Sequence, residues 1–82
     1  MIRIHVKLFA ILRDAAGMPE LTLELPDGAT VHTAGVALGE RLPAIRGHLP
    51  HTGYAVNRTY AGPGQALADG DELAAIPPVS GG

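Results

Sequence analysis

Cysteine and tryptophan are absent from the 82 residues, and the aromatic complement is one Phe and two Tyr. Without Cys there is no disulfide staple, no persulfide, no thiol nucleophile and no Cys-ligated zinc, so any sulfur chemistry has to use another group. A strong charge of one sign is missing as well. Six Lys plus Arg against eight Asp plus Glu give a formal net charge of -2, and the cations are spread along the chain. That leaves no basic patch for phosphates and argues against nucleic acid. No apolar run approaches the roughly 20 residues of a membrane span. The first 15 residues begin by alternating apolar with charged positions instead of forming the apolar stretch of a secretory signal, so the expected location is cytoplasmic. What remains is a short chain, 46% hydrophobic, that reads as one domain. A domain of this size buries only about two-thirds of the surface its unfolded chain exposes, so its core must be aliphatic and well patterned.

Ile2, Ile4, Val6 and Leu8 alternate with Arg3, His5 and Lys7, the period-two pattern of a half-buried strand. Ala10 to Ala16 is rich in helix formers and stops at Gly17, which predicts a turn or two of helix. Glu20 to Leu25 alternates again before the turn residues Pro26-Asp27-Gly28, and reads as a hairpin partner of the first strand. Thr30 is an N-cap candidate, and Val31, Ala34, Leu38 and Leu42 follow at helical spacing, so the main helix is predicted over about Val31 to Leu42, ahead of Pro43. Gly35 and Gly39 inside it mark either a close approach to the sheet or tolerated positions on a solvent face. Ala44 to Gly53 shows no sustained period and reads as a loop. Tyr54 to Tyr60 reads as a third strand with Tyr54, Val56, Arg58 and Tyr60 on one side. A short piece around Leu67 leads to a tight Asp69-Gly70-Asp71 turn, and Glu72 to Ile76 forms the last strand, ended by Pro77-Pro78. A hairpin, a helix and further strands, the last able to lie beside the first, make a mixed sheet of four to five strands packed on one main helix, an α+β architecture.

Few residues suggest catalysis. His48 and His51 have the spacing His-x-x-His, but no Cys or nearby carboxylate completes a metal site, and they read as loop histidines on a solvated surface. His5 and His32 fall on polar faces. Asp69, Asp71 and Glu72 lack calcium-loop spacing and are the residue types a tight turn needs. Gly62-Pro63-Gly64 has no lysine and opens no helix, so it is not a phosphate cradle. The end of the chain is more informative. Pro77 and Pro78 fix φ and give the last four residues a set direction, and Pro77 to Gly82 spans up to about 20 Å when extended. Gly81 and Gly82 carry no Cβ, so their backbone fits a channel too narrow for side chains. The group delivered is the Gly82 carboxylate, an anion at neutral pH that can attack a phosphoanhydride and become an activated acyl group.

Leu67-Ala68-Asp69-Gly70-Asp71-Glu72-Leu73 followed by Ile76-Pro77-Pro78-Val79-Ser80-Gly81-Gly82 resembles the small subunit of molybdopterin synthase, the MoaD family. Ile2 to Leu12, Arg13-Asp14-Ala15-Ala16-Gly17 and Ala55-Val56-Asn57 are similar to that family too, so the resemblance covers essentially the whole chain. A terminal Gly-Gly alone is common to ubiquitin-like carriers; the Pro-Pro-Val-Ser-Gly-Gly run after a Gly-Asp-Glu turn is more specific. The resemblance implies a β-grasp, ubiquitin-like domain over residues 1–78 with an extended tail over 79–82. It further implies a sulfur carrier whose Gly82 is adenylated by an ATP-dependent activating enzyme and then converted to a thiocarboxylate by a persulfide sulfur donor. ATP would be used by that enzyme, and no cofactor or metal is expected on this chain. The tail would enter a pocket of a large subunit, in a heterotetramer of two small and two large subunits. There the thiocarboxylate would attack cyclic pyranopterin monophosphate, two deliveries completing one dithiolene, while the acid and base groups belong to the large subunit.

Docking of that kind needs an apolar surface near the root of the tail. Phe9 breaks the register of the first strand and is expected to point away from the core. Ile76 and Tyr60 match family positions on one exposed sheet face. With Pro77, Pro78, Val79 and Ser80 they form the candidate partner-binding set, the alternative being that they fill corners of a small core. Arg41 and Arg58 are exposed cations that could meet an acidic rim. Carriers for thiamine, cysteine or tRNA thiolation share the fold and the Gly-Gly end, as do protein modifiers joined to lysine by an isopeptide bond. A plain interaction module without terminal chemistry is the third class.

Overall fold

The computed structural model describes residues 1–78. Five strands form one mixed sheet: β1 (Ile2–Leu8), β2 (Glu20–Leu25), β3 (Gly53–Val56), β4 (Thr59–Ala61) and β5 (Glu72–Ile76). The order across it is β2-β1-β5-β3-β4. β1 and β2 are the expected antiparallel hairpin, with Ile2 opposite Leu25 and Ile4 opposite Leu23. β5 lies parallel to β1, with Val6 opposite Leu73, and antiparallel to β3. The first and last strands thus sit side by side at the centre, which is the ubiquitin-like β-grasp arrangement.

Period two does the sorting. Ile4, Val6, Leu8, Leu23, Leu25, Leu73 and Ala75 project to one face and are buried. Against that face packs α2 (Val31–Arg41), which buries Val31, Ala34 and Leu38. Its start is well satisfied. The Thr30 side chain accepts from the Thr33 N–H while the Thr33 side chain accepts from the Thr30 N–H. The Val31 and His32 N–H groups donate to the carbonyls of Gln65 and Pro63 at 2.9 Å each, so the loop carrying Leu67 closes the helix end. Among the described residues no polar or charged residue is buried, consistent with an aliphatic core.

Gly35 does mark a close approach to the sheet, because a Cβ there would stand 3.1 Å from the Tyr54 hydroxyl. At Gly39 the neighbour is different: a Cβ would stand 3.1 Å from Leu49 Cδ1. Leu49 belongs to a 3-10 helix over Pro43–His51, where the sequence reading placed a loop. Its backbone bonds run three residues back, Ile45 N–H to the Leu42 carbonyl and Thr52 N–H to the Leu49 carbonyl, both 3.0 Å. It buries Ile45 completely. A shorter helix, α1 (Ala10–Ala16), bridges β1 and β2 and ends at Gly17, whose φ of 74° is the left-handed stop that glycine accepts without strain.

The single strand expected over Tyr54 to Tyr60 is a hairpin. Val56 pairs with Thr59, and the two residues between them, Asn57 and Arg58, sit at φ 49° and 72°. Positive φ at both central positions is the two-residue turn whose twist matches that of the strands. The chain reversal puts Tyr60 opposite Ala55 and off the Tyr54 face, correcting the expected alternation.

Candidate functional site

The sheet face away from α2 is open and divided in two. On β2, β1 and the start of β5 it carries ion pairs: Arg3–Glu24 at 3.4 Å, His5–Glu20 at 3.4 Å and Lys7–Glu72 at 3.0 Å. The hydrogen bond from the Lys7 ammonium holds the Glu72 carboxyl below its ordinary value against an opposing desolvation effect, with lesser help from the charges of Lys7, Arg58 and His5. Toward β3 and β4 the same face turns apolar, with Ala74 and Ile76 on β5 in register with Ala55 and Gly53 on β3, and Tyr60 beyond them. Tyr60 is the most exposed large apolar side chain among the described residues, at 77%.

The last strand is held in place by its turn. Gly70, at φ 87°, donates its N–H to the Arg3 carbonyl at 2.8 Å, and Asp69 accepts from the Arg3 N–H at 2.8 Å. Asp71 accepts from the Ala68 N–H at 2.7 Å and from the Asn57 side chain at 3.0 Å. Asn57 also bonds Glu72 twice, its N–H to the Glu72 carbonyl at 2.8 Å and its side-chain oxygen from the Glu72 N–H at 3.0 Å. Asp69 and Asp71 are therefore turn residues, and Asn57 ties the β3–β4 turn to the start of β5. Asn57→Ala removes the two side-chain bonds and places a strained Ala at positive φ, for an expected loss of about 2 kcal/mol in urea unfolding; Asn57→Gly, which keeps the backbone geometry, loses less.

Where β5 ends, three separate segments meet. Phe9, Ala10 and Ile11, then His48 and His51, then Ile76, Pro77 and Pro78 line a groove of about 630 Å³. Phe9 leaves the β1 register as expected and is 43% exposed. It is the N-cap residue of α1, in extended backbone ahead of Ala10 at φ 50°. The groove brings Phe9, Ile76, Pro77 and Pro78 together. Tyr60 does not line it, although it shares the open face with Ile76. Val79, Ser80, Gly81 and Gly82 lie outside the described residues.

Four groove residues were not in the candidate partner-binding set: Ala10, Ile11, His48 and His51. On a 3-10 helix, side chains three apart eclipse, so Ile45, His48 and His51 form one row with Ile45 at its buried end. The spacing of three was visible, but it reads as structure only once the helix type is known. Among the described residues no cluster of three or more His, Cys, Asp or Glu could hold a metal ion, and no helix is long and apolar enough to cross a membrane.

A sequence profile described as the ThiS family matches residues 6–82. The chain belongs to the ThiS family. Among relatives of this ThiS-family chain, a molybdopterin synthase sulfur carrier subunit of Chlamydomonas reinhardtii is 40% identical, covering 98% of this chain and 99% of that one. A protein of the same name from Mycobacterium tuberculosis is 35% identical, with both chains covered completely. The small archaeal modifier protein 1 of Haloferax volcanii is 38% identical over 93% of this chain and 97% of its own. A crystal structure of that modifier superposes with a TM-score of 0.90 at 33% identity, covering 96% of this chain and all of the other. Membership of the ThiS family and the β-grasp fold thus rest on nearly the full length.

Proposed function

We propose that this chain is the sulfur carrier subunit of a molybdopterin synthase. The observation that carries the reading is identity of 35% to 40% with three proteins of that name over nearly the whole chain. The architecture supports it: β5 is paired on both edges, by β1 and β3, the double proline comes immediately after, and Phe9, Ile11 and Ile76 line the groove at that point.

In this reading Gly82 is the reactive terminus. Its carboxylate attacks the α-phosphorus of ATP on an activating enzyme and releases pyrophosphate. A persulfide sulfur displaces AMP from the acyl adenylate, and cleavage of the acyl disulfide by a thiol leaves the thiocarboxylate. The large subunit then binds the tail and supplies the acid and base groups; the thiocarboxylate sulfur attacks a carbon of cyclic pyranopterin monophosphate as the oxygen substituent there leaves, and water cleaves the acyl–sulfur bond, leaving the sulfur on the pterin and Gly82 as its carboxylate. Phe9, Ile76, Pro78 and Tyr60 form the docking surface, with Val79, Ser80 and Gly81 in the partner's channel; Pro77, expected among the contact residues, is buried and serves instead to fix the backbone where β5 ends.

The test is the intact mass of the chain after incubation with ATP, a competent activating enzyme and a sulfur donor. The expected gain is the exchange of one oxygen for sulfur, localised to Gly82. An unchanged mass accompanied by lysine conjugates would replace this reading by that of a protein modifier, which the identity to small archaeal modifier protein 1 favours as the second reading. Self-linked products would then map to a single ε-amine, because Lys7 is the chain's one lysine.

A further inference from the structure

β2 is an outer strand of the sheet, with β1 its one neighbour among the described residues. The register decides which of its backbone groups face outward. The Leu8 N–H donates to the Pro19 carbonyl at 2.8 Å, and the pairing continues without a bulge from Lys7 opposite Glu20 to Ile2 opposite Leu25. Hydrogen-bonded pairs alternate along an antiparallel ladder, so Leu21, Leu23 and Leu25 bond β1 while the N–H and carbonyl groups of Glu20, Thr22 and Glu24 point away from the sheet. All three of those residues are exposed. Edge strands are usually blunted by short length, bulges, proline or charge. β4, at the other edge, is three residues long. β2 has six residues, no proline and no bulge, and its protection is the charge of Glu20 and Glu24. Beside it runs a trough of about 760 Å³, lined by Thr22, Leu23 and Glu24 of β2 and by Ala37, Glu40 and Arg41 of α2.

That charge selects the occupant. Two copies of β2 paired about Thr22 in a two-fold, antiparallel arrangement would set Glu20 of each against Glu24 of the other, and like charges directly opposite destabilise a ladder. A strand with basic residues at the same two places makes both pairs attractive. The existing pairs with Arg3 and His5, 3.4 Å each, leave the Glu24 and Glu20 side chains 59% and 51% exposed, so each carboxylate keeps room for a second cation. Side chains opposite Glu20, Thr22 and Glu24 fall on the open face; those opposite Leu21 and Leu23 fall on the α2 side, where Ala37 leaves space for a small apolar group and Glu40 and Arg41 offset each other. We propose that the outer edge of β2 is a docking site for an extended segment of another protein, taken up as a sixth strand, with basic residues four apart facing Glu20 and Glu24 and apolar residues between them facing Leu23 and Ala37. Main-chain bonds to Glu20, Thr22 and Glu24 supply the affinity, and the alternate side chains supply the selectivity. None of the residues lining the groove at the end of β5 lies on β2, so this edge and that docking surface use different residues, and the edge is independent of any chemistry at Gly82.

The probe is the peptide acetyl-Lys-Val-Thr-Val-Lys-amide, titrated to millimolar concentration into the nitrogen-15 labelled full chain and followed by NMR. The same peptide with Glu for both Lys is the control. The Glu20, Thr22 and Glu24 amides are expected to shift and to gain protection from solvent exchange, while the Leu21 and Leu23 amides keep the protection their bonds to β1 already give. The Glu peptide should leave all of them unmoved. Thr22→Pro removes the outward N–H alone, a change an edge strand tolerates, so the fold stays and binding falls roughly tenfold or more. Glu20→Lys/Glu24→Lys costs the fold little, since exposed ion pairs add little to stability, and that chain should bind the Glu peptide in place of the Lys one. Equal binding of both peptides, undiminished binding to the Thr22→Pro chain, or Glu20, Thr22 and Glu24 amides that stay still at millimolar peptide would overturn the proposal. So would protection of those amides that rises with the chain's own concentration in the absence of peptide, which would assign the edge to a second copy. Shifts confined to Phe9, Ile76 and Tyr60 would overturn it as well, by assigning the peptide to the surface at the end of β5.

Discussion

Lengthening the chain by one residue beyond Gly82, or replacing Gly82 by Ala, is expected to abolish sulfur transfer while leaving thermal unfolding unchanged. The two halves of this expectation have separate causes. Among the described residues the buried hydrophobic side chains run from Ile4 to Ala75 and form one cluster without the tail, so the melting temperature is expected to stay where it is. The chemistry, by contrast, depends on where one carbonyl carbon arrives. An added residue displaces the terminal carboxyl by about 3.5 Å, and misplacement of a reacting centre by even 1 Å costs on the order of 100-fold in rate. Gly82→Ala keeps the length but adds a Cβ next to the reacting carbon, in a channel that the glycine pair implies is too narrow for side chains. Single-turnover transfer, with thiocarboxylate read by intact mass and pterin product read separately, measures both variants. Loss at the mass step places the defect at activation; normal thiocarboxylate with no product places it in the large subunit's channel. A chain acting as a plain interaction module would tolerate the extension in every assay.

The tail reading rests on residue identity alone, two prolines that fix φ and two glycines without side chains, and residues 79–82 lie outside the described structure. The strands β1, β2 and β5 were legible for a related reason, since alternation over five to seven residues survives without tertiary information, and Thr30 announced α2 through its hydroxyl. The failures share another cause. The Pro43–His51 helix repeats every three residues, a period that matches neither the 3.6 of an α-helix nor the 2 of a strand, so the His48–His51 spacing was visible but was not joined to Ile45 as one row of a helix. The β3–β4 turn was hidden because Arg58 stands where the usual two-residue turn carries glycine, and only its φ of 72° reveals the reversal. The groove was least accessible of all. Its walls come from residues 9–11, from His48 and His51, and from residues 76–78, and their meeting depends on β5 pairing with β1 while the 3-10 helix packs against α1. Local pattern could expose Phe9 as a residue out of register, but it could not show that two histidines would stand beside it.

Leu73→Ala is expected to have the second large effect, this time on the fold. Leu73 is fully buried on β5, opposite Val6 on one side and Val56 on the other. It therefore sits at the join between the β1–β2 and β3–β4 halves of the sheet. Truncation leaves a cavity that the two flanking strands, fixed by their own pairing, close only in part. The expected loss is about 3 kcal/mol, within the range of roughly 2–5 for buried Leu→Ala changes. Total stability of small domains is about 5–15 kcal/mol, and at this size each 1 kcal/mol moves the melting temperature by roughly 4–8 °C, so a drop of about 12–24 °C is expected. Urea unfolding with an unchanged slope and a lowered midpoint would locate the effect in the folded state. Because Leu73 precedes the tail root by only four residues, sulfur transfer should fall in proportion to the folded fraction: intact at low temperature, lost as the variant melts. That temperature dependence separates it from the Gly82 variants, whose defect persists in a fully folded protein. A loss well under 1 kcal/mol would mean that the halves of the sheet are joined by backbone pairing alone, and that the side-chain contact across β5 adds little to it.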